Sequence, residues 1–198
     1  MLLNNGHRPL GQKKPFKLED IWRIRTRLEI EGKLMELALL NLAIDSKLRS
    51  CDLLKTKVYD ISSGGVIAPR VIVTQSKTKR DVQFEITPKT QHVVSQWLWH
   101  SRLKEDDYLF PSPRKPNCPI SYSYYSSLIK KWASLLGVDT SLYGTHSIRR
   151  TKAALIYSRT KNIRAIQLLL GHVKLDNTVR YLGVDIEDAL KLSEGIDI

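Results

Sequence analysis

The stretch RVIVTQSKTKRDVQFEIT, residues 70–87, is the one clear β signal in a chain whose other apolar residues recur at helical spacing. Its two halves are β-branched or alternating runs on either side of SKTK, the pattern of an antiparallel hairpin. Around it the periodicity predicts helices. One runs from about Leu18, with Ile21, Ile24 and Leu28 on one face, and a more apolar one covers about 33–45. A short helix starts near Ser50, and KVYDI reads as a short strand. Pro88 opens a helix through Trp97 and Trp99, since its fixed φ and missing N–H suit a first helical turn. FPSPRKPNCP is loop, and further helices are expected at about 122–136, 146–158 and 163–170, the last closed by Gly171. Asp176 is placed to cap a short helix carrying Tyr181, and an amphipathic segment covers about 185–192. The fold class is mostly α with a small three-stranded antiparallel β-sheet (α+β).

The 198 residues divide into a basic, Gly/Pro-punctuated flexible arm over 1–17, a folded domain over 18–184 and an acidic tail over 185–198. No apolar run reaches membrane-spanning length, because LMELALLNLAI is interrupted by Glu36. MLLNNGHRPLGQKK places its basic residues after a short apolar stretch, which is not the order of a secretory signal. Cys51 and Cys118 stand far apart with no Cys-x-x-Cys pair, so neither a disulfide framework nor a zinc knuckle is indicated. A cytoplasmic protein fits, with no membrane partner.

Charge points to a polyanion. Thirty-two Lys and Arg against twenty Asp and Glu leave a net charge of +12. Residues 140–175 contain no acidic side chain, yet they hold Arg149, Arg150, Lys152, Arg159, Lys161, Arg164 and Lys174. Residues 70–80 are likewise free of acid and carry Lys77, Lys79 and Arg80. The tail reverses sign, so a polyanion such as nucleic acid would be drawn to the first two regions and repelled by the last, although a solvated basic surface has the same charge pattern.

Singly, the candidate functional residues are ordinary. His146 and Arg149 lie three apart on one helix face, and Arg49 precedes Asp52 by one turn, a surface pair worth about 0.3–0.5 kcal/mol. His172 beside Gly171 reads as a helix end, and Tyr181 as an amphipathic core residue. Their order is not ordinary. SKLRSCDL, QSKTKRDVQFEITP, THSIRR and LLGHVKLDNTVRY together resemble the boxes of the tyrosine recombinase (phage integrase) family, from about Leu18 to Tyr181. The resemblance implies that Arg49, Arg149 and His172 hold the nonbridging oxygens of a phosphodiester. It also implies that Lys77 protonates the leaving 5′ oxygen, with Lys79 competing for that role. Asp52 is expected to orient Arg49. His146 would assist proton transfer from the nucleophile Tyr181, whose phenol (pKa about 10) is otherwise a poor nucleophile at neutral pH.

The implied product is a 3′-phosphotyrosyl enzyme with a free 5′-hydroxyl, and the chemistry needs no metal, ATP or other cofactor. The implied partner is double-stranded DNA, bound by a monomer that assembles into a homo-tetramer and acts at the bacterial nucleoid. Lys79, Arg80, Arg150, Lys152, Lys174, Lys13 and Lys14 are the expected DNA contacts. About seventeen residues precede the first helix, so the separate N-terminal clamp domain of typical members is expected to be absent, as in the short fimbrial phase-variation invertases. The basic arm, with Arg8 and Lys17 beside Lys13 and Lys14, or an accessory DNA-bending protein would then compensate. In the tail, Ile186, Ala189 and Leu190 form one apolar face suited to a partner or to the domain itself. Two rival readings are a type IB topoisomerase, which usually has lysine where this chain has His146, and a DNA-binding regulator that kept the fold without catalysis.

Overall fold

The structure, a computed structural model, describes residues 12–183 together with 190, 193 and 194. Its centre is helix α2 (Leu34–Ser46), buried without interruption from Glu36 to Ser46. A helix apolar on all sides has to be wrapped by others, and α1 (Leu18–Ile30), α5 (Pro88–Ser101) and α7 (Thr145–Thr160) pack around it. Helix α1 turns Ile21, Ile24 and Leu28 inward, the face expected from their spacing. The polar side chains that α2 takes inside find partners, Asn41 Nδ2 excepted. Glu36 accepts from Trp132 Nε1 at 2.9 Å and Lys131 Nζ at 3.0 Å, both on α6 (Tyr122–Ser134), and Asn41 Oδ1 accepts from Arg25 Nε at 2.6 Å.

The expected hairpin forms as β3 (Arg70–Thr74) and β4 (Asp81–Glu85), paired from Arg70 opposite Glu85 to Thr74 opposite Asp81. Val71, Val82 and Phe84 face the core and Ile72 faces out. A lone two-stranded ribbon is marginal in water, and this one is held by α8 (Ile163–Leu170) and α2 against β4. The strands differ from the expected three-stranded sheet. KVYDI is not a strand: the Asp60 carboxylate accepts from the Lys57 backbone N–H at 2.8 Å, which closes the helical turn α4 (Val58–Ile61). The chain extends only afterwards, as β1 (Ser62–Ser63), which pairs with β2 (Val66–Ile67) through Gly64 and Gly65, both at positive φ. Among the described residues there are thus two separate two-stranded ribbons.

The described part of the expected flexible arm is a strap laid along the domain. Phe16 is buried, its ring 4.5 Å from that of Tyr143 and its N–H 3.1 Å from Thr151 Oγ1. Lys14 N–H donates to Leu142 O at 2.9 Å, and Gln12 Nε2 to Arg180 O at 2.7 Å. Residues 1–11 lie outside the described residues, as does the amphipathic segment at 185–192 except for the exposed Leu190.

Lys152, expected to contact DNA, is instead ion-paired with Asp45 at 2.7 Å and with Glu85, which also pairs with the buried Lys47. The pairing holds both carboxyls below the usual carboxylate range against their burial. Removing Lys152 would leave the Asp45 charge buried without its cation. Lys152→Ala is therefore expected to cost about 3 kcal/mol in a denaturant melt. A phosphate-contacting lysine would instead leave the melt unchanged and lower the log–log salt slope of DNA binding by about 0.9.

Candidate active site

The site is assembled around the carbonyl of Leu170. Helix α8 ends there, with Gly171 at φ 65 turning the chain, so this carbonyl belongs to the last turn that no helical N–H can reach. Arg149, in the second turn of α7 and 3% exposed, donates Nη2 to it at 2.9 Å. Gln75 Nε2 donates to it at 3.1 Å. Gln75 Oε1 in turn accepts from Arg49 Nη1 at 2.5 Å, so both arginines are referred to one atom. Arg49 stands in extended backbone just before α3 (Ser50–Leu53).

One residue past the glycine, His172 is fixed by Nδ1 at 3.1 Å from the fully buried Thr178 Oγ1 on α9 (Leu175–Leu182). Three residues further along the same helix is Tyr181. Its ring meets that of His172 edge-on, centroids 5.3 Å apart at 82°. The guanidinium of Arg150 lies 5.3 Å from the phenol ring centroid and that of Arg149 6.0 Å. The eight-residue connector, 173–180, therefore docks the tyrosine beside the histidine.

Burial and the neighbouring Arg149 and Arg49 press His172 down to about 4, and burial followed by Arg149, Arg49 and Arg150 lowers His146. Both imidazoles are neutral at pH 7. Burial pushes the Tyr181 phenol up to about 12, against the pull of Arg149 and Arg150, so it is held protonated. The Arg149 guanidinium lies close enough to the Tyr181 phenol to lower its pKa, yet neither Arg149 Nη1 nor Tyr181 Oη makes a hydrogen bond of regular geometry, and Asp52 Oδ2 is likewise without one. Among the described residues these are three of the four buried side-chain polar atoms left without a partner. Buried polar groups are otherwise nearly always satisfied, so these atoms keep unused hydrogen-bonding capacity.

The other sequence-predicted residues are distributed as follows. His146 sits one turn before Arg149 at the exposed start of α7. Lys77 and Lys79 stand exposed at the hairpin tip with Arg80. Lys79 takes φ 52 so that its N–H closes the turn on Gln75 O at 2.9 Å. Asp52 does not hydrogen-bond Arg49 as expected. Its Oδ1 accepts from the Ser76 N–H at 2.8 Å, which anchors the base of the lysine turn, and Gln75 holds the arginine instead. Arg150 is buried and reaches inward, Nη1 donating to Lys13 O at 2.8 Å. Lys13 Nζ donates to Ser141 O at 2.6 Å, Lys14 is half-buried in the strap, and Lys174 is exposed before α9. Gln75 was missed, although the hairpin alternation carries its signal: Val71, Val73 and Gln75 share the inward register, where an amide needs partners.

The fold is that of a tyrosine recombinase catalytic domain. The chain belongs to the phage integrase family, whose model matches residues 16–187. It is 31% identical over 142 residues to the probable integrase/recombinase YoeC of Bacillus subtilis, covering 72% of this chain and 74% of that protein. It is 29% identical over 137 residues to a tyrosine recombinase of Pseudothermotoga lettingae, covering 69% of this chain but 45% of the relative. Among solved structures, XerA recombinase superposes with a TM-score of 0.74 at 18% identity, over 96% of this chain and 65% of that one. The XerH site-specific recombinase bound to its difH substrate superposes with a TM-score of 0.73 at 15% identity, over 92% and 54%.

The two depressed histidines set an acid limit on stability. Between about pH 6.5 and 4 the unfolded chain binds protons that the folded His172 refuses, so stability is lost as pH falls through that window. The melting temperature is expected to be lower at pH 5 than at pH 7.5, and His172→Asn should narrow the difference. Asp45 and Glu85, both held below their ordinary values, also take stability away as the pH falls toward the carboxylate range, so the His172 share is the part that His172→Asn removes. A difference unchanged by His172→Asn would remove the assignment.

Proposed function

We propose that this domain cuts and rejoins double-stranded DNA at specific sites by moving the scissile phosphate onto Tyr181, the reaction of a site-specific recombinase. The reading rests above all on Arg149 Nη1 and Tyr181 Oη, two neighbouring buried groups without a regular hydrogen bond, beside an imidazole pressed down to about 4. A phosphodiester entering there would accept from Arg149 and from His172, whose other ring nitrogen is anchored on Thr178. Arg49, held by a neutral amide, would supply a second planar fork to the nonbridging oxygens. The Tyr181 oxygen attacks phosphorus, the bond to the 5′ oxygen breaks, and the phosphate becomes a 3′-phosphotyrosyl ester. Lys77 at the hairpin tip would protonate the departing 5′ oxygen, and the neutral His146 would receive the phenol proton. Because the tyrosyl ester keeps the bond energy, attack by a 5′-hydroxyl reverses the step with no nucleotide or metal. Strand exchange between two duplexes would take four protomers, acting in the cytoplasm at the nucleoid, with the strap lysines or a DNA-bending protein adding contacts.

The test is covalent capture on a pool of nicked duplexes with a randomised centre, where the short fragment bearing the new 5′-hydroxyl diffuses away after cleavage. An adduct with the wild type and none with Tyr181→Phe is expected. No adduct with either protein would point to a DNA-binding domain without catalysis.

A further inference from the structure

We propose that Gln75 is a positioning residue that binds the two arginines into one phosphate-holding unit. This rests on the reading of the site given above. The side chain is 1% exposed and every polar atom of it is used. Nε2 is anchored on Leu170 O at 3.1 Å, the carbonyl that Arg149 Nη2 also takes at 2.9 Å. Oε1 accepts from Arg49 and, at 2.8 Å, from Thr78 Oγ1 in the lysine turn. Its backbone closes the same turn, N–H to Arg80 O at 2.8 Å and O from Lys79 N–H at 2.9 Å. One residue thus touches the first arginine, the support of the second and the loop that carries Lys77.

The chemistry calls for an amide and not a carboxylate. An arginine meant for a phosphate has to be aimed without having its charge cancelled. A carboxylate at 75 would grip Arg49 as an ion pair, competing with the phosphate for the same fork, and would oppose an acceptor to the Leu170 carbonyl. Glutamine aims Arg49 with a neutral oxygen and spends its donor on the carbonyl. The room for this comes from Gly171. A Cβ there would lie 3.1 Å from Gln75 Nε2 and 2.5 Å from Val82 Cγ1, so the residue that lets α8 end also lets the amide dock.

The experiment measures single-turnover adduct formation on the nicked duplex for Gln75→Met and Gln75→Glu, each in the wild-type and Arg49→Ala backgrounds, with DNA affinity measured alongside. Methionine keeps the length and burial, and glutamate keeps the shape if methionine does not fold. With Arg49 present, each substitution is expected to slow the reaction by about 10- to 100-fold, the scale of a roughly 1 Å misplacement. DNA affinity is expected to stay within about twofold. With Arg49 absent, the same substitutions should cost clearly less, only what the contacts to Leu170 O and the lysine turn supply, because residues that act through one another are not additive. A penalty of equal size in both backgrounds, or no penalty in either, would overturn the role of Gln75. A wild-type protein that forms no adduct would remove the reading of the site itself, and this proposal with it.

Discussion

Arg149→Lys is expected to slow adduct formation by about 10²- to 10³-fold, close to 2.7–4 kcal/mol of transition-state stabilisation. The substitution keeps the positive charge, and charge is not what fails. Arg149 divides its fork, with Nη2 on the Leu170 carbonyl and Nη1 beside Tyr181 without a regular hydrogen bond. An ammonium is a single point on a flexible stem. If it takes the carbonyl it is withdrawn from the phosphate, and if it reaches the phosphate the helix end loses its ligand. At 3% exposure, no water replaces the missing arm cheaply. Duplex affinity depends on many phosphate contacts and should change far less than the rate. Single-turnover capture together with a salt-dependent binding curve separates the two quantities. A rate within tenfold of wild type would mean that Arg149 supports the fold but does not meet the phosphate.

What could be read from the sequence follows the range of the interactions. Helix α1 and the β3–β4 hairpin were legible because Ile21, Ile24 and Leu28, or Val71, Val82 and Phe84, declare their faces by spacing alone. The catalytic candidates were legible as ordered boxes, and the structure gathers Arg49, Arg149, His172 and Tyr181 around the end of α8. Their supports were not. Asp52 one turn after Arg49 looks like its partner, yet the carboxylate turns to the Ser76 N–H and the arginine finds Gln75 on another element. The strap was invisible for a related reason. Lys13 and Arg150 are both cations, but the link runs from the Arg150 guanidinium to the Lys13 carbonyl, a group that every residue carries. KVYDI failed in the opposite sense, where one local bond from Lys57 N–H to Asp60 outweighed a β-prone composition.

Tyr181→Phe is expected to abolish the adduct while leaving the free protein as stable as before or more so, by about 1 kcal/mol. The ring makes the contacts that hold it: its edge-on meeting with His172 and its place under the Arg150 guanidinium. Phenylalanine retains both. The hydroxyl makes no hydrogen bond of regular geometry, and burial raises its pKa to about 12 despite the nearby Arg149, so the folded domain carries most of the cost of removing a polar group from water. Deleting that oxygen relieves the cost, and for a domain of this size about 1 kcal/mol corresponds to roughly 2–4 °C in melting temperature. The measurement is a pair of melts without DNA, followed by the same pair with a saturating nicked duplex. In the free proteins the phenylalanine variant should melt at or above the wild type. With DNA bound, the wild type should gain more, because a phosphate oxygen then supplies the partner that the phenol lacks. A variant that melts well below the wild type without DNA would show that the hydroxyl is already satisfied in the free domain. The unpaired oxygen would then no longer stand as the mark of a site waiting for its phosphate.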